Sequence, residues 1–387
     1  MRQKLSFSRL PFFNNALPTQ TFERLRKAAE IAVRDVLCIK PDEQTLIITN
    51  PHEAAAPIAM AIYDAAGRAE GRPSLIFQDE KTQIDFAEKA IIAVFEARPE
   101  VVISISSGKL GKDEQGIANP YKIPGTDGPG YDHIFHLRQY GEKSCRAFWS
   151  PGVTIDSFCR TVPLDYALLR ERCKKICAVL SDAVRVKVTA PGGTNIILGL
   201  DGRTAKADDG DFSFMGSGGN LPAGEAFISP ENGTANGTIV FDGSISTNTG
   251  DMLIKQPVIC KVEGGFVSAI SGGKEADALL DTIMLAEKNA FALEKQGKLP
   301  PGKGEIYARN ARNIGELGIG LNNEARITGN MLEDEKCFQT CHFAIGQNYD
   351  EDAPALIHLD AVVRSPDIIA YMPDGREVTV LKDGLPV

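Results

Sequence analysis

The chain has 387 residues, of which 43% are hydrophobic and 24% are charged, so it can bury a sizeable core and form two domains. Its net charge of −9 argues against general binding to nucleic acid or anionic membranes, because both require clustered Lys and Arg. No apolar run is long enough to span a bilayer, and the apolar part of the basic N-terminus is too short for a signal peptide. We therefore expect a cytoplasmic protein without nucleic-acid or membrane partners.

The first part of the chain alternates between helical and strand-like segments. In chain order it predicts a helix at 21–37, a strand at 45–49, a helix at 51–71, a strand at 73–78, a helix at 82–96 and a strand at 100–106. Such alternation is typical of βαβ units with a parallel sheet. Residues 1–183 are therefore predicted to form a Rossmann-like α/β domain. No GxGxxG follows the first strand, so the pattern gives only weak support for dinucleotide binding.

A long segment rich in Gly and Pro, residues 108–151, interrupts this pattern. It contains Trp149, the only tryptophan of the chain, together with His133 and His136. Long loops in compact domains are often functional or mobile. Together with Asp132, the two histidines have the side chains of a metal site, but a substrate cap or a dimer contact suits a loop better. The segment is treated as an insertion whose role the sequence leaves open.

After a helix at 163–183, the pattern changes to short alternating or β-branched runs separated by Gly turns. One long helix, at 274–297, is predicted among them. This composition is typical of a mostly antiparallel region. Residues 184–387 are therefore predicted to form an α+β domain, which would carry the catalytic metal site.

Eight cysteines are spread over the chain without a CxxC pair or a repeated spacing. Zinc ligation and disulfides are possible roles for them. Small buried side chains in a reducing compartment explain them with fewer assumptions.

The clearest chemical signal is the pair His358 and Asp360 within the apolar, strand-like run ALIHLDAVV. Residues i and i+2 of a strand face the same side, so both side chains project from one face. A buried carboxylate without a partner is costly, and a bound cation removes that cost. Imidazole with carboxylate is a common ligand pair for zinc, cobalt, manganese or iron. A His–Asp hydrogen bond that holds a turn is the alternative.

Three further residues stand in similar apolar or Gly-rich surroundings: His342 in CHFAIG, Glu316 in IGELGIG and Glu225 in NLPAGEAFISP. Each alone is equally well explained as a satisfied core residue. Together with the first pair they make three carboxylates and two histidines in one domain. This set fits a two-metal site, in which ions about 3.5–4 Å apart activate a water for hydrolysis.

Four segments, in this order, resemble the aminopeptidase T family of metallopeptidases: NLPAGEAFISP, NIGELGIGLN, LEDEKCFQTCHFAIGQN and IHLDAVV. Further similarity, in IKPDEQTLIITNPHEAAAPIAMAIYDAAGRAEG and VKVTAPGGTNIILGLDGR, extends the resemblance over most of the chain except 108–151. The resemblance implies a dinuclear site, in which Glu316 bridges the two metals. The remaining ligands that it implies are Glu225, His342, His358 and Asp360.

The resemblance also implies that Tyr349 lies close to the metals, and that the protein is a homodimer. It implies an aminopeptidase acting on short peptides, with two zinc, cobalt, manganese or similar divalent ions. Tyr349 is predicted to hydrogen-bond a developing oxyanion, with an interface tyrosine as the alternative. Glu335, in DEK, is predicted to act as a base or to support a ligand, with a solvated charge cluster at a turn as the alternative.

The sequence is also similar to 2,5-dihydroxypyridine dioxygenases, which share this fold and bind one iron through two His and one Asp. Their first His stands where this chain has Glu316, and they have no carboxylate where it has Glu225. Both glutamates therefore favour the dinuclear hydrolase. A single Fe(II) bound by His342, His358 and Asp360 is the alternative, with a small aromatic substrate. A non-catalytic dimeric protein that kept the fold is the third hypothesis.

Overall fold

The computed structural model describes residues 17–82, 85–126, 128 and 130–387. The basic N-terminus that was considered as a signal peptide lies outside these residues, apart from its last positions. Up to residue 183 the elements are α1 (Thr19–Ile31), β1 (Gln44–Thr49), α2 (Ala55–Arg68), β2 (Arg72–Phe77), α3 (Lys89–Val94), β3 (Val101–Ser106), α4 (Glu114–Ala118), α5 (Ile134–His136), β4 (Arg146–Pro151), α6 (Ile155–Thr161) and α7 (Tyr166–Asp182). Short π-helical or 3₁₀ turns continue α1, α3 and α5, at Ala32–Val36, Phe95–Ala97 and Leu137–Gly141.

The remainder of the chain is mostly β-structure. Its elements are β5 (Arg185–Thr189), β6 (Asn195–Gly199), β7 (Lys206–Asp208), β8 (Gly218–Asn220), β9 (Glu225–Ile228), β10 (Asn236–Phe241), β11 (Ser244–Thr247), β12 (Gly250–Leu253), β13 (Val258–Glu263), β14 (Phe266–Ser271), α8 (Lys274–Lys295), α9 (Lys303–Asn310), β15 (Ile314–Gly320), α10 (Met331–Asp334), β16 (Thr340–Gly346), β17 (His358–Arg364), β18 (Asp367–Tyr371), β19 (Glu377–Lys382) and β20 (Leu385–Pro386). None of the described helices combines the length and the apolar composition that a bilayer-spanning helix requires.

Five parallel strands form the sheet of the N-terminal part, in the order β2-β1-β3-β4-β8. Strand β3, VVISIS, is buried at every position, as expected for a strand covered on both faces. The Rossmann-like α/β prediction is confirmed. The strand at the edge of this sheet, β8, consists of residues 218–220, which lie beyond the predicted domain boundary at 183.

The segment 108–151 ends in an element of this sheet. Arg146–Pro151 pairs in parallel with β3, so these residues are not part of an insertion but form the fourth strand. Arg146 is almost fully buried, and its guanidinium donates hydrogen bonds to both carboxylate oxygens of Glu43 and to the carbonyl oxygens of Leu37 and Cys38. A charged residue at the start of the strand is tolerated because all of these acceptors satisfy it.

The helix predicted at 82–96 is wrong over its first half, as far as the described residues show. Helix α3 begins only at Lys89. Before it, the Asp85 carboxylate accepts hydrogen bonds from the backbone and hydroxyl of Thr82, and Phe86 pairs with Lys112. At Phe86 this bridge to a residue distant in sequence takes the place of the helix, so tertiary pairing overrides the local helical pattern there.

Two antiparallel sheets make up the C-terminal part, which confirms the predicted mostly antiparallel α+β region. One has eight strands in the order β14-β13-β10-β6-β5-β18-β19-β20, and the other has seven in the order β12-β11-β17-β16-β15-β9-β7. Phe241 of β10 and Phe343 of β16 meet edge to face at 6.4 Å between ring centroids, so the two sheets contact through apolar side chains. The other face of the seven-stranded sheet therefore points away from this contact.

Candidate metal centre

Four neighbouring strands of the seven-stranded sheet, β9, β15, β16 and β17, carry the five predicted metal ligands. Their register places small residues opposite the polar ones, in the pairs Gly320↔Glu225, Gly318↔His342, Ala344↔Asp360 and Gly346↔His358. Paired residues of antiparallel strands share a face, as do residues two apart along a strand. The five ligand candidates therefore lie on one face, although they are spread over some 135 positions of the sequence.

The alternate positions of the same strands face the apolar contact between the two antiparallel sheets. Leu317, Phe343 and Ala361 lie side by side on β15, β16 and β17 and are fully buried. From Glu316 to Gly320, the strand thus alternates between a ligand or a glycine and a core side chain. One face of the sheet stabilises the fold and the other carries the polar cluster.

Gly318 is required for the position of His342. A Cβ atom on Gly318 would lie 2.0 Å from His342 Nε2 and 2.1 Å from Cε1. The imidazole therefore lies directly over the backbone of β15, in space that any other residue would fill. This is why a glycine stands between the core residues Leu317 and Ile319.

Glu316 is at the centre of the polar cluster. It is almost fully buried, and its Oε1 lies 3.3 Å from His342 Nε2 while its Oε2 lies 3.2 Å from His358 Nε2. Each carboxylate oxygen thus faces a different imidazole. On the His342 side, Glu225 Oε2 lies 3.4 Å from His342 Nε2, and on the other side Asp360 Oδ1 lies 3.4 Å from His358 Nε2.

Three groups of side chains offer ligand atoms within 4.8 Å of one another. They are Glu225–Glu316–His342, Glu316–His358–Asp360 and Glu335–His342–Asp360. Two buried acceptor atoms of these groups, Glu225 Oε2 and Asp360 Oδ1, have no hydrogen-bond donor. Buried acceptors without a donor are costly, and cations bound by carboxylate and imidazole would satisfy them. The residues therefore fit divalent metal ions.

The electrostatics of the cluster also favour cations. Burial raises the pKa of Glu316, but hydrogen bonds from His342 and His358 outweigh burial and lower that pKa to about 2. Burial lowers the pKa of His342, whereas Glu316 and Glu225 raise it to about 9. The carboxylates thus attract positive charge strongly into a buried site, and divalent cations supply such charge without a proton.

His358 is held in a fixed orientation. Its Nδ1 lies 2.8 Å from the carbonyl oxygen of Gln347, which directs Nε2 toward Glu316 and Asp360. A carbonyl acceptor on the far nitrogen is the usual way in which proteins orient a metal-binding imidazole. His342 has no such partner, since its Nδ1 is buried without a hydrogen bond.

A buried lysine, Lys336, joins the cluster from the segment after α10. The Nζ atom lies 2.5 Å from Glu225 Oε1, 2.8 Å from Glu335 Oε1 and 3.3 Å from Asp208 Oδ2. Burial raises the pKa of Glu335, Lys336 lowers it, and Glu225 and Asp360 raise it again, to about 8. Glu335 is therefore part of the site rather than of a solvated charge cluster. The sequence analysis assigned no role to Lys336 or Asp208, because DEK and KADDGD are typical of exposed turns.

Tyr349 lies at the rim of the site. Its Oη is 3.5 Å from His358 Nε2, and the two rings are 5.0 Å apart between centroids. About half of its surface is exposed, so it is accessible to a substrate. The backbone of Tyr349 is held on both sides: its carbonyl oxygen accepts a hydrogen bond from Lys206 Nζ, and its amide donates one to Ser229 Oγ.

His133 and His136 do not contribute to these ligand groups. His133 Nδ1 accepts a hydrogen bond from the amide of Phe135, and its Nε2 faces the carbonyl oxygen of Gly111. Burial lowers the pKa of His133 to about 4, as suits a neutral ring that begins a helical turn. His136 pairs with Asp132 instead. All eight cysteines are free, and none belongs to a ligand group found in the described part of the chain.

Comparison with known proteins supports an enzyme of this fold. Residues 154–345 match a family model described as NicX, 2,5-dihydroxypyridine 5,6-dioxygenase. That range includes Glu225, Glu316 and His342 but ends before His358 and Asp360. No match was found among curated proteins.

Two solved structures resemble the chain over nearly its whole length. The 2,5-dihydroxypyridine dioxygenase from Pseudomonas putida has a TM-score of 0.67 and 16% identity, with 95% of this chain and 97% of that chain covered. AmpT from Thermus thermophilus has a TM-score of 0.62 and 16% identity, with 94% and 99% covered. Both similarities expected from the sequence motifs are thus confirmed. At this identity they show a shared fold, and they leave dioxygenase and aminopeptidase as alternatives.

Proposed function

We propose that the protein is a two-metal hydrolase, most simply an aminopeptidase that acts on short peptides or a related amide hydrolase. The observation that carries this proposal is the position of Glu316, whose two oxygens face His342 and His358 separately and which belongs to two ligand groups. A carboxylate with this geometry is suited to bridge two cations. Glu225 would complete the ligands of the ion on the His342 side, and Asp360 those of the ion on the His358 side.

The five ligand residues would hold two divalent ions, zinc, cobalt or manganese, and such ions would supply a water acidic enough to deprotonate near neutral pH. Glu335 lies beside His342 and Asp360, so its carboxylate is placed to accept a proton from a water at this site and to return it to a leaving amine. Tyr349 directs its hydroxyl group toward the same site and is placed to donate a hydrogen bond to an oxyanion. Its ring is half exposed, so a small substrate can reach it.

The alternative is a mononuclear Fe(II) dioxygenase acting on a hydroxypyridine-type aromatic, which the match to the family model favours. Its iron would be bound by His342, His358 and Asp360 together. Among the ligand groups found in the described residues, none contains both histidines, although Glu316 and Asp360 each occur in one group with His342 and in another with His358. The geometry therefore supports the two-metal hydrolase over the single-iron site.

Metal content and two activity assays separate the hypotheses. Protein purified without chelator is analysed for metals, then tested on a panel of aminoacyl-amides and, after anaerobic Fe(II) loading, for oxygen uptake with 2,5-dihydroxypyridine. A hydrolase binds about two divalent ions per chain and releases amine. If the protein bound one iron per chain and consumed oxygen, the dioxygenase hypothesis would replace the hydrolase hypothesis. If it bound no metal, the hypothesis of a non-catalytic protein would be supported.

A Glu225→Gln variant sharpens this comparison. In the two-metal hydrolase, Glu225 completes the ligands on the His342 side, so its loss lowers hydrolysis strongly. In a single-iron enzyme with His342, His358 and Asp360 as ligands, Glu225 is not a ligand, so oxygen uptake would persist.

We further propose that the protein is cytoplasmic and, on the basis of the aminopeptidase T resemblance, that it is a homodimer. Met284 and Phe291 lie two turns apart on α8, and each is more than half exposed, so this helix offers an apolar face for the contact. Light scattering during size-exclusion chromatography would give twice the chain mass. Replacing both residues by Ser would yield the monomer mass if α8 forms the interface.

A further inference from the structure

We propose that Lys336 is a positioning residue that makes Glu225 a one-oxygen ligand for the metal on the His342 side. The inference rests on the proposed two-metal function. Lys336 is fully buried and its Nζ holds Glu225 Oε1 at 2.5 Å. The other oxygen of Glu225 therefore remains directed at His342 Nε2, at 3.4 Å, without a hydrogen bond of its own.

The ammonium group of Lys336 is itself fixed by three carboxylates. Glu225, Glu335 and Asp208 each present one oxygen to Nζ, which matches the three N–H bonds of an ammonium group. Asp208 stands opposite Glu225 in the pairing of β7 with β9, and its Oδ2 also accepts the amide of Asn220 at the sheet edge β8. The position of Nζ is thus set from several elements, and so is the orientation of Glu225.

The effect of Lys336 should be confined to one metal. Lys336 contacts Glu225 and Glu335, which belong to the two ligand groups that contain His342. It contacts none of Glu316, His358 and Asp360, which form the other group. Without the ammonium charge, Glu225 and Glu335 would be adjacent buried carboxylates, and repulsion would turn Glu225 away from its ligand position. The metal on the His358 side would keep its own ligands.

Cobalt(II) titration measures this directly, because its visible absorption and its binding heat report each ion as it enters. We expect wild-type protein to bind two cobalt ions. Lys336→Met keeps the length and much of the volume of the side chain. It should lower the affinity for one cobalt ion by about 10- to 100-fold and the affinity for the other by less than about threefold. Its absorption spectrum should change only for the weakened ion.

A double-mutant cycle tests whether Lys336 acts through Glu225. In the Glu225→Gln background, Lys336→Met should cause no further loss of cobalt affinity, because the residue to be positioned has lost its charge. The double variant leaves two buried carboxylates, Glu335 and Asp208, without their cation, whereas Lys336→Met alone leaves three, so the double variant should be the more stable of the two. A further tenfold loss in the double variant would overturn the proposal.

Arg146→Met provides a matched control, because it also removes a buried cation but lies in the parallel sheet. It should lower stability and leave both cobalt affinities unchanged. If Lys336→Met lowered the affinity for both cobalt ions equally, or for neither, Lys336 would have only a structural role. If wild-type protein bound a single cobalt ion, the proposed two-metal function itself would fail, which the wild-type titration reveals before any variant is made.

Discussion

Replacing Gly318 with alanine should remove His342 from the metal site without touching any ligand. The new Cβ would lie 2.0 Å from His342 Nε2, whereas non-bonded heavy atoms pack at about 3.5–4.0 Å. The ring would therefore have to move by about 1.5 Å, far beyond the roughly 0.2 Å that a metal–ligand distance tolerates. We expect the metal on the His342 side to lose about 100-fold or more in affinity, since changes in residues that merely support ligands already cost 10- to 100-fold.

The assay combines calorimetric titration with zinc and urea denaturation. Overpacking should also cost about 1–3 kcal/mol in the free energy of unfolding. Gly67→Ala is the control, because Gly67 lies on helix α2 with its nearest new contact at 4.0 Å, so the substitution should be neutral or slightly stabilising.

The clash can be tested separately from the metal. In a His342→Ala background the space over β15 is free, so Gly318→Ala should cost much less stability than it does alone. Equal costs in the two backgrounds would mean that the imidazole is not the obstacle. Unchanged zinc affinity in Gly318→Ala would contradict the placement of His342 as a ligand.

Three other substitutions probe the bridge, the rim and the fold. Glu316→Gln should lower the affinity for both metal ions by about 100-fold or more, since Glu316 belongs to two ligand groups. Loss of only one ion in elemental analysis would count against Glu316 as a bridging ligand. Tyr349→Phe should retain both metals but lower turnover by about 10- to 100-fold, and undiminished turnover would remove Tyr349 from the mechanism. Glu43→Gln should lower the free energy of unfolding by about 3 kcal/mol at pH 7, because it leaves buried Arg146 without its carboxylate, whereas exposed Asp42→Asn should change it by under about 1 kcal/mol. Burial raises the pKa of Glu43, but hydrogen bonds with Arg146 lower it overall, so this stabilisation is present above about pH 4.3 and is lost as the pH falls below it. A Glu43→Gln deficit that stayed constant as the pH fell well below about 4.3 would contradict this assignment.

The face of the sheet that carries the ligands could be predicted from the sequence. In ALIHLDAVV the period of two of a strand assigns His358 and Asp360 to one side, whereas Glu316 stands out only as a charge among apolar residues and glycines. A charged residue in such surroundings needs a partner, which indicated a metal. Gly318 of IGELGIG has the same origin, since it leaves room for an imidazole from the next strand.

The order of the strands could not be predicted in this way. Nothing local in the sequence specifies that β9 pairs with β15 across some 90 residues, or that Glu225 therefore meets His342. Only the resemblance to a known family joined these segments. Lys336 was missed for a related reason: it follows three acidic residues at the end of a short helix, where solvent usually surrounds the charges, and only the tertiary fold buries it.

Two errors in the N-terminal part have a common cause. RAFWSP follows a long Gly- and Pro-rich stretch and is short, so the strand β4 was assigned to the insertion, although β3 and β8 flank it in the sheet. Within the helix predicted at 82–96, Phe86 pairs with Lys112, and helix α3 begins only at Lys89. In both places, contacts distant in sequence decide the conformation, and local propensity does not report them.

A crystal structure of the zinc-soaked protein with anomalous diffraction at the zinc edge would test the central claim most directly. The proposal predicts two anomalous peaks about 3.5–4 Å apart, one on each side of the Glu316 carboxylate, with Glu225 and His342 at one and His358 and Asp360 at the other. A single peak coordinated by His342, His358 and Asp360 together would contradict it.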